Sequence, residues 1–203
     1  IMAVNCLIYW GSSALTAGRY HFDFTMAFDR EVPLLPVFVW FYILAFPFWA
    51  VGYLLAARRG KDMFYRFVAT DLTIHFICFI CFILIPTTNI RPEIPGNTLS
   101  EKILALVYSL DGGNSPSNLF PSIHCYVSWM CWKGVEGSEK VPKWYQRFSL
   151  VFAILIIIST QVLKQHYIVD AAAALLLVEF FWRFYQKGQR HKWVVHVFAH
   201  KKK

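Results

Sequence analysis

Charge is the scarcest resource of this chain. Only 16% of its 203 residues are Asp, Glu, Lys or Arg, against about 25% in ordinary globular domains. Acidic residues are the rarer kind, 12 against 20 basic ones, which leaves a net charge of +8. With 57% hydrophobic residues, a soluble fold of this size cannot hide its apolar surface, so the composition excludes a water-soluble globule and implies an integral membrane protein. Internal repeats and low-complexity linkers are also missing, so residues 1–203 read as a single membrane domain. No motif for a nucleic-acid groove or single strand is present, which excludes nucleic acid as the partner of the positive charge. The spacing Cys78-x-x-Cys81 has no second pair in a polar loop. With Cys6, Cys125 and Cys131, these thiols lie in or beside apolar runs and read as small packing residues. Residues 1–18 carry no basic leader, so no signal peptide is expected.

Six apolar stretches are candidate spans: 2–17, 34–57, 67–85, 119–132, 148–162 and 167–185. A crossing needs about 20 residues, fewer where an end sits in a protein-lined cavity. The first and fourth stretches are the shortest cases. The expected fold is all-α, a six-transmembrane-helix bundle.

The basic residues decide its orientation. Arg58, Arg59, Lys61 and Arg66 flank one loop, and Lys133, Lys140, Lys143 and Arg147 another. Arg183, Lys187, Arg190, Lys192, Lys201, Lys202 and Lys203 follow the last span. With six alternating spans all three clusters share one side, which the positive-inside rule makes the cytoplasm. Both termini are then cytoplasmic, and 187–203 is a basic cytoplasmic tail, either lying on the anionic leaflet or frayed. The loops at 18–33, 86–117 and 163–166 face outward. They hold only Arg19, Arg30, Arg91, Lys102 and Lys164.

Two short stretches reach that outer face with chemistry to offer. In Lys164-Gln165-His166-Tyr167-Ile168-Val169-Asp170, the histidine and aspartate are four residues apart at a helix start. A carboxylate accepting from one ring nitrogen fixes the tautomer and leaves the other nitrogen free to attack. The alternative is a salt link from Asp170 to Lys164 that tethers helix ends. In Phe120-Pro121-Ser122-Ile123-His124, proline favours a helix's first turn. That puts Ser122 and His124 beside open backbone amides able to hold phosphate oxygens. His124 is then a general acid and base, or else a capping or interfacial histidine. Arg91, followed by Pro92, offers a planar fork to phosphate and Lys164 a point charge; Arg91 otherwise anchors a headgroup. Asp71, His75 and Glu179 lie nearer the cytoplasmic side and read as structural pairs or as part of a proton or headgroup path.

Pro121-Ser122-Ile123-His124 and His166-x-x-x-Asp170 resemble the second and third motifs of the type 2 phosphatidic acid phosphatase superfamily, and Arg91-Pro92 the end of its first. The resemblance covers roughly residues 85–180. It implies a six-span, metal-independent enzyme acting on lipid phosphates, with no cofactor. It implies His166 as the phosphorylated nucleophile, Asp170 as its orienting acid and His124 as acid and base, with Ser122 and Arg91 binding phosphate. The chain departs from the pattern at three places. Leu84 stands where the first motif has lysine, Ile123 where the second has glycine, and Ser159-Thr160 where the third has Ser-Arg. Lys164 is the candidate replacement for a lost cation. The bulkier second motif and the Lys-Gln-His-Tyr context are closer to the sphingolipid-synthase side of the superfamily, which passes a phospho-headgroup to a lipid hydroxyl. The expected function is thus a membrane lipid phosphatase, or alternatively a phosphotransferase of inositol phosphorylceramide synthase type, and least a non-catalytic lipid-binding or transport protein. The expected site faces the extracytoplasmic side of a plasma membrane, bacterial to judge from the compact chain. Oligomeric state and the lipid's identity are left open.

Overall fold

The computed structural model describes residues 2–113 and 116–199. The expected basic group at Lys201, Lys202 and Lys203, and the side chain of Cys6, lie outside the described residues. The chain is mostly helical. In order run α1 (Met2–Thr16), β1 (Phe22–Asp23), α2 (Ala27–Glu31), a 3-10 turn (Pro36–Phe38), α3 (Val39–Ala57), α4 (Lys61–Leu84) and β2 (Thr87–Thr88). Then come α5 (Leu99–Leu110), α6 (Ile123–Val135), α7 (Lys143–Val162), α8 (Ile168–Gln186) and α9 (Lys192–Ala199).

Among the described residues three segments are long and apolar enough to cross a membrane: Pro36–Ala57, Lys61–Leu84 and Lys143–Val162. They match the second, third and fifth expected spans, although α4 begins earlier than expected and takes in Arg66. The other three expected spans form helices too. At 13 residues, α6 rises only about 20 Å and is short for a crossing.

The short α6 is the hub. It packs on α3, α7 and α8, while α8 also packs on α4 and α1 packs on α4. The shared core holds Phe67, Ile74, Phe82, Tyr126, Met130 and Ile156, all almost wholly buried. Small residues allow close helix approach. At Gly134 an added Cβ would lie 2.8 Å from Phe67 Cε2 and 3.0 Å from Ala56 Cβ.

Asp71 and His75 lie inside this core and the partly exposed Glu179 at its edge, and the structure pairs all three. The Tyr53 hydroxyl donates to Asp71 Oδ1 at 2.6 Å. His75 Nδ1 lies 2.9 Å from the Asp71 carbonyl and 3.5 Å from its Oδ2, and the Tyr126 hydroxyl is 2.7 Å from the His75 ring. Glu179 meets Lys133 Nζ and Trp129 Nε1, each at 2.9 Å. These are the structural pairs that the sequence reading set beside a proton path.

The connections sort into two layers. At one end, Phe22 and Asp23 pair in parallel with Thr87 and Thr88. Thr87 Oγ1 accepts from the amides of Leu119 and Phe120 at 3.0 Å each, the Leu35 amide donates to the Val162 carbonyl, and the Ser122 amide to the Asp170 carbonyl. The loops expected to share the outer face therefore do come together. At the other end, Arg59 donates to the carbonyls of Lys133 and Gly134, and Arg66 to those of Tyr185, Gln186 and Gly188. The described basic clusters gather there.

Two loop expectations need correction. Residues 86–117, expected as a loop, contain the twelve-residue helix α5. Thr98 Oγ1 accepts from the Glu101 amide, and Glu101 Oε2 accepts from the Asn97 and Thr98 amides. This reciprocal capping starts a helix at an otherwise polar stretch. The described part of the tail, residues 190–199, is not frayed. Its α9 docks on α4 with Val194 fully buried, and His191 Nε2 pairs with Asp62 at 2.9 Å.

Candidate active site

His166 sits in the tight turn between α7 and α8. The turn is closed by the amides of Gln165 and His166, which both donate to the Thr160 carbonyl at 3.0 Å. Lys164 holds a left-handed φ of +52° there. His166 Nδ1 lies 3.3 Å from Asp170 Oδ2, which also accepts from the Tyr167 amide at 3.0 Å. Asp170 thus pairs with His166 and caps α8, and the salt link to Lys164 does not form. Its other oxygen, Oδ1, is buried without a partner.

His124 is the second residue of α6. Its helix starts at Ser122, whose Oγ accepts from the Cys125 amide at 3.3 Å. Pro121 therefore stands one place before the cap and not in the first turn. Among the described residues, the amides of Ile123 and His124 have no hydrogen-bond partner, as expected for the first donors of a helix. The His124 ring stacks on Tyr42 with centroids 4.3 Å apart, and meets Trp49 at 5.1 Å and Phe46 at 6.0 Å. These three aromatics all come from α3, so the α3–α6 contact sets where His124 points. His124 Nε2 is buried without a partner.

The two imidazoles face each other with centroids 6.1 Å apart. Both line a cavity of about 270 Å³. Its walls are Trp10, Tyr42, Phe46, Trp49, Val107, Leu110 and Ile123, with Asp111 and Asn118 as polar exceptions. Pairing two ring nitrogens across a mostly apolar chamber suits chemistry on a polar group carried by an apolar body.

Arg91 is 3% exposed and its guanidinium is already engaged. Nη1 donates to the carbonyls of Asp111 at 2.9 Å and Gly113 at 3.1 Å. Nη2 donates to Asp111 Oδ2 and Gln165 Oε1. The group stacks over Tyr108 at 4.7 Å, and only Nε is buried without a partner. Asp111 also accepts from the Tyr9 hydroxyl. Tyr108, its hydroxyl pushed up to about 12 by burial, donates to the Leu163 carbonyl at 2.7 Å and ties α5 to the His166 turn.

Lys164 points elsewhere. Its Nζ donates to the carbonyls of Asp29, at 2.7 Å, and Val32, so it clasps α2 against the α7–α8 turn. Burial pushes its ammonium below the ordinary value, and Asp29 opposes that. Asp29, 5% exposed, accepts from the Ile168 amide at 2.8 Å through Oδ1 and so caps α8 from outside.

The structure therefore brings His124, His166, Asp170 and Ser122 together, with Arg91 adjoining through Gln165 and Asp111. Lys164 is turned away. The sequence reading missed Asp111, Gln165, Asp29 and the α3 aromatics. Among the described residues no group of three or more His, Cys, Asp or Glu is arranged to hold a metal.

With this geometry in view, the comparisons are specific. The family model described as the PAP2 superfamily matches residues 18–183. No curated protein and no solved structure matches the chain. The match extends well beyond the three motifs, taking in α2 and α3 as well as α4 to α8. Family members are phosphatases, which supports phosphatase- or phosphotransferase-type activity on phosphate esters. Together with the three apolar helices it also supports a membrane protein. The chain belongs to the PAP2 superfamily.

Proposed function

We propose that this protein removes the phosphate of a lipid phosphate or diphosphate through a covalent phosphohistidine on His166. The observation that carries the reading is the facing pair of imidazoles, 6.1 Å apart, at one end of an apolar chamber, with one ring held by a carboxylate. Asp170 at Nδ1 leaves the Nε2 lone pair of His166 free to attack phosphorus. As the N–P bond forms, the bond from phosphorus to the lipid oxygen breaks, and His124 gives that oxygen a proton. Water then attacks phosphorus, His124 takes the water's proton, the N–P bond breaks and phosphate leaves. The lipid's apolar tail lies along Phe46, Val107 and Leu110.

Charge is met by the open amides of Ile123 and His124 at the α6 N-terminus and by the Ser122 hydroxyl, turned from Cys125 towards the phosphate. Arg91 joins by exchanging Asp111 for phosphate. Lys164 contributes only if it leaves the carbonyls of Asp29 and Val32, so its first role is the clasp.

A six-span arrangement with the histidines outside the cytoplasm of a plasma membrane, bacterial in our reading, completes the proposal. What supports it is the gathering of the basic loops at the end of the bundle away from the histidines.

One observation favours transfer over hydrolysis. Ile123 occupies the wall beside His124, so the chamber offers water few polar partners, and an apolar alcohol fits it better. Product analysis decides. Purified protein and its His166→Ala variant are incubated with a panel of lipid phosphates, with and without lipid alcohols. Free phosphate lost in the variant establishes hydrolysis, and a new phospholipid formed only with acceptor establishes transfer. Full turnover by folded His166→Ala protein, or turnover by neither, sinks the phosphohistidine reading. Lipid binding that persists after both histidines are replaced then points to a binding or transport protein.

A further inference from the structure

Helix α8 has chemistry at both ends. His166 and Asp170 mark its start. Its 19 residues carry the chain about 28 Å to the opposite face, at 1.5 Å per residue. There Leu176, Glu179, Phe180, Arg183, Phe184, Lys187 and Arg190 line a concavity of about 380 Å³.

The order of residues along it is graded. Leu176 and Phe180 are open on the bundle's side, 71% and 62% exposed. Beyond them come Arg183 in the last turn of α8, Lys187 at its extended C-cap and Arg190 in the turn that follows, so the lining passes from apolar to basic. Its one acid is already committed: Glu179 meets the buried Lys133 at 2.9 Å as well as Arg183 at 3.4 Å. Among the described residues neither Lys187 nor Arg190 forms an ion pair.

The turn that bears Lys187 and Arg190 is built, not loose. Arg66 donates to the carbonyls of Tyr185, Gln186 and Gly188 at 2.7, 2.8 and 3.1 Å. The pairing of buried His191 with Asp62 fixes the start of α9. Arg190 lies over the Phe184 ring at 4.2 Å and donates to its carbonyl at 3.5 Å. Three cations above an exposed apolar groove, two of them on a backbone turn that Arg66 holds, match a molecule with an anionic head and a hydrocarbon chain. Inorganic phosphate would leave the groove unused.

We propose that this concavity binds one anionic phospholipid, its phosphate among Arg183, Lys187 and Arg190 and its acyl chain along Phe180 and Leu176, in the leaflet opposite the histidines. The proposal rests on the reading of α8 as crossing the membrane, and not on the phosphohistidine chemistry.

The test measures binding in the His166→Ala background, so it stands whether or not the enzyme reading does. Protein is placed in bilayer discs containing phosphatidylcholine with a small fraction of phosphatidylglycerol, and bound lipid is read by native mass spectrometry. The variant R183Q/K187Q/R190Q is compared with K140Q/K143Q/R147Q, which removes three cations from the other loop at the same end. We expect phosphatidylglycerol retention to fall at least tenfold in the first and to hold in the second, with millimolar inorganic phosphate failing to displace the lipid. Phe180→Ser should weaken long-chain more than short-chain phosphatidylglycerol. Equal loss in both triple variants would reduce the site to general surface charge and overturn the proposal. So would unchanged retention in the first variant, or no preference for phosphatidylglycerol.

Discussion

Asp111 holds Arg91 in a closed ion pair one cavity wall away from the two histidines. Its carboxylate takes Nη2, its carbonyl takes Nη1, and Tyr9 secures the other carboxylate oxygen. The planar fork that suits a phosphate is thus occupied by a carboxylate of the same charge sign.

The consequence is a competition whose direction can be measured. Asp111→Asn keeps an acceptor for Arg91 but removes the competing charge. Vanadate, a phosphate analogue, should then inhibit at a concentration about tenfold lower, equivalent to about 1.4 kcal/mol. Vanadate binding that weakens instead would make Asp111 a support that aims the guanidinium at its ligand.

Asp170→Asn probes a different function of a carboxylate. Asparagine can still accept from the Tyr167 amide, so the α8 cap survives. Its neutral amide no longer stabilises the positive charge that develops on the His166 ring. We expect kcat to fall about a thousandfold or more, with KM and the unfolding temperature little changed. A kcat within tenfold of the original would remove Asp170 from the mechanism.

The motif residues were legible because their geometry is local. His166 and Asp170 are four residues apart, and Ser122 and His124 share one helix start, so spacing alone sets their relation. Asp111, Gln165 and the α3 aromatics were not, because they reach the site through packing between distant segments. Tyr42 is 82 residues before His124. Arg91 was found as a cation but not as a paired one, since nothing in its neighbourhood of sequence names Asp111. One missed element did leave a signal: Thr98-Leu-Ser-Glu101 is a capping box, and it would have located α5 inside the supposed loop.

The buried Tyr53–Asp71–His75–Tyr126 network separates stability from activity. Tyr126 and His124 both lie on α6, but Tyr126 turns to α4 and not to the cavity. Tyr53→Phe removes the hydroxyl donor from a buried carboxylate and should cost about 1.5–3 kcal/mol. Thermal unfolding in detergent checks this, and turnover below the transition should be unaffected. Lost turnover with an unshifted transition would instead assign the network to a proton path.

Helix contact distance also bears on the site, through Gly52. A Cβ there would lie 2.6 Å from Cys131 Sγ and 2.7 Å from Cys131 Cβ, closer than packed atoms approach. Gly52→Ala must therefore push α3 from α6, and with it the stack of Tyr42 and Trp49 on His124. We expect a loss of about 1–3 kcal/mol in stability and reduced turnover. The rescue has an order. G52A/C131G removes both clashing atoms, and so should recover most, less the cost of about 1 kcal/mol for glycine in a helix. G52A/C131A keeps the 2.7 Å contact and should recover less. If the two double variants behave like Gly52→Ala alone, close approach at this point does not set the position of His124.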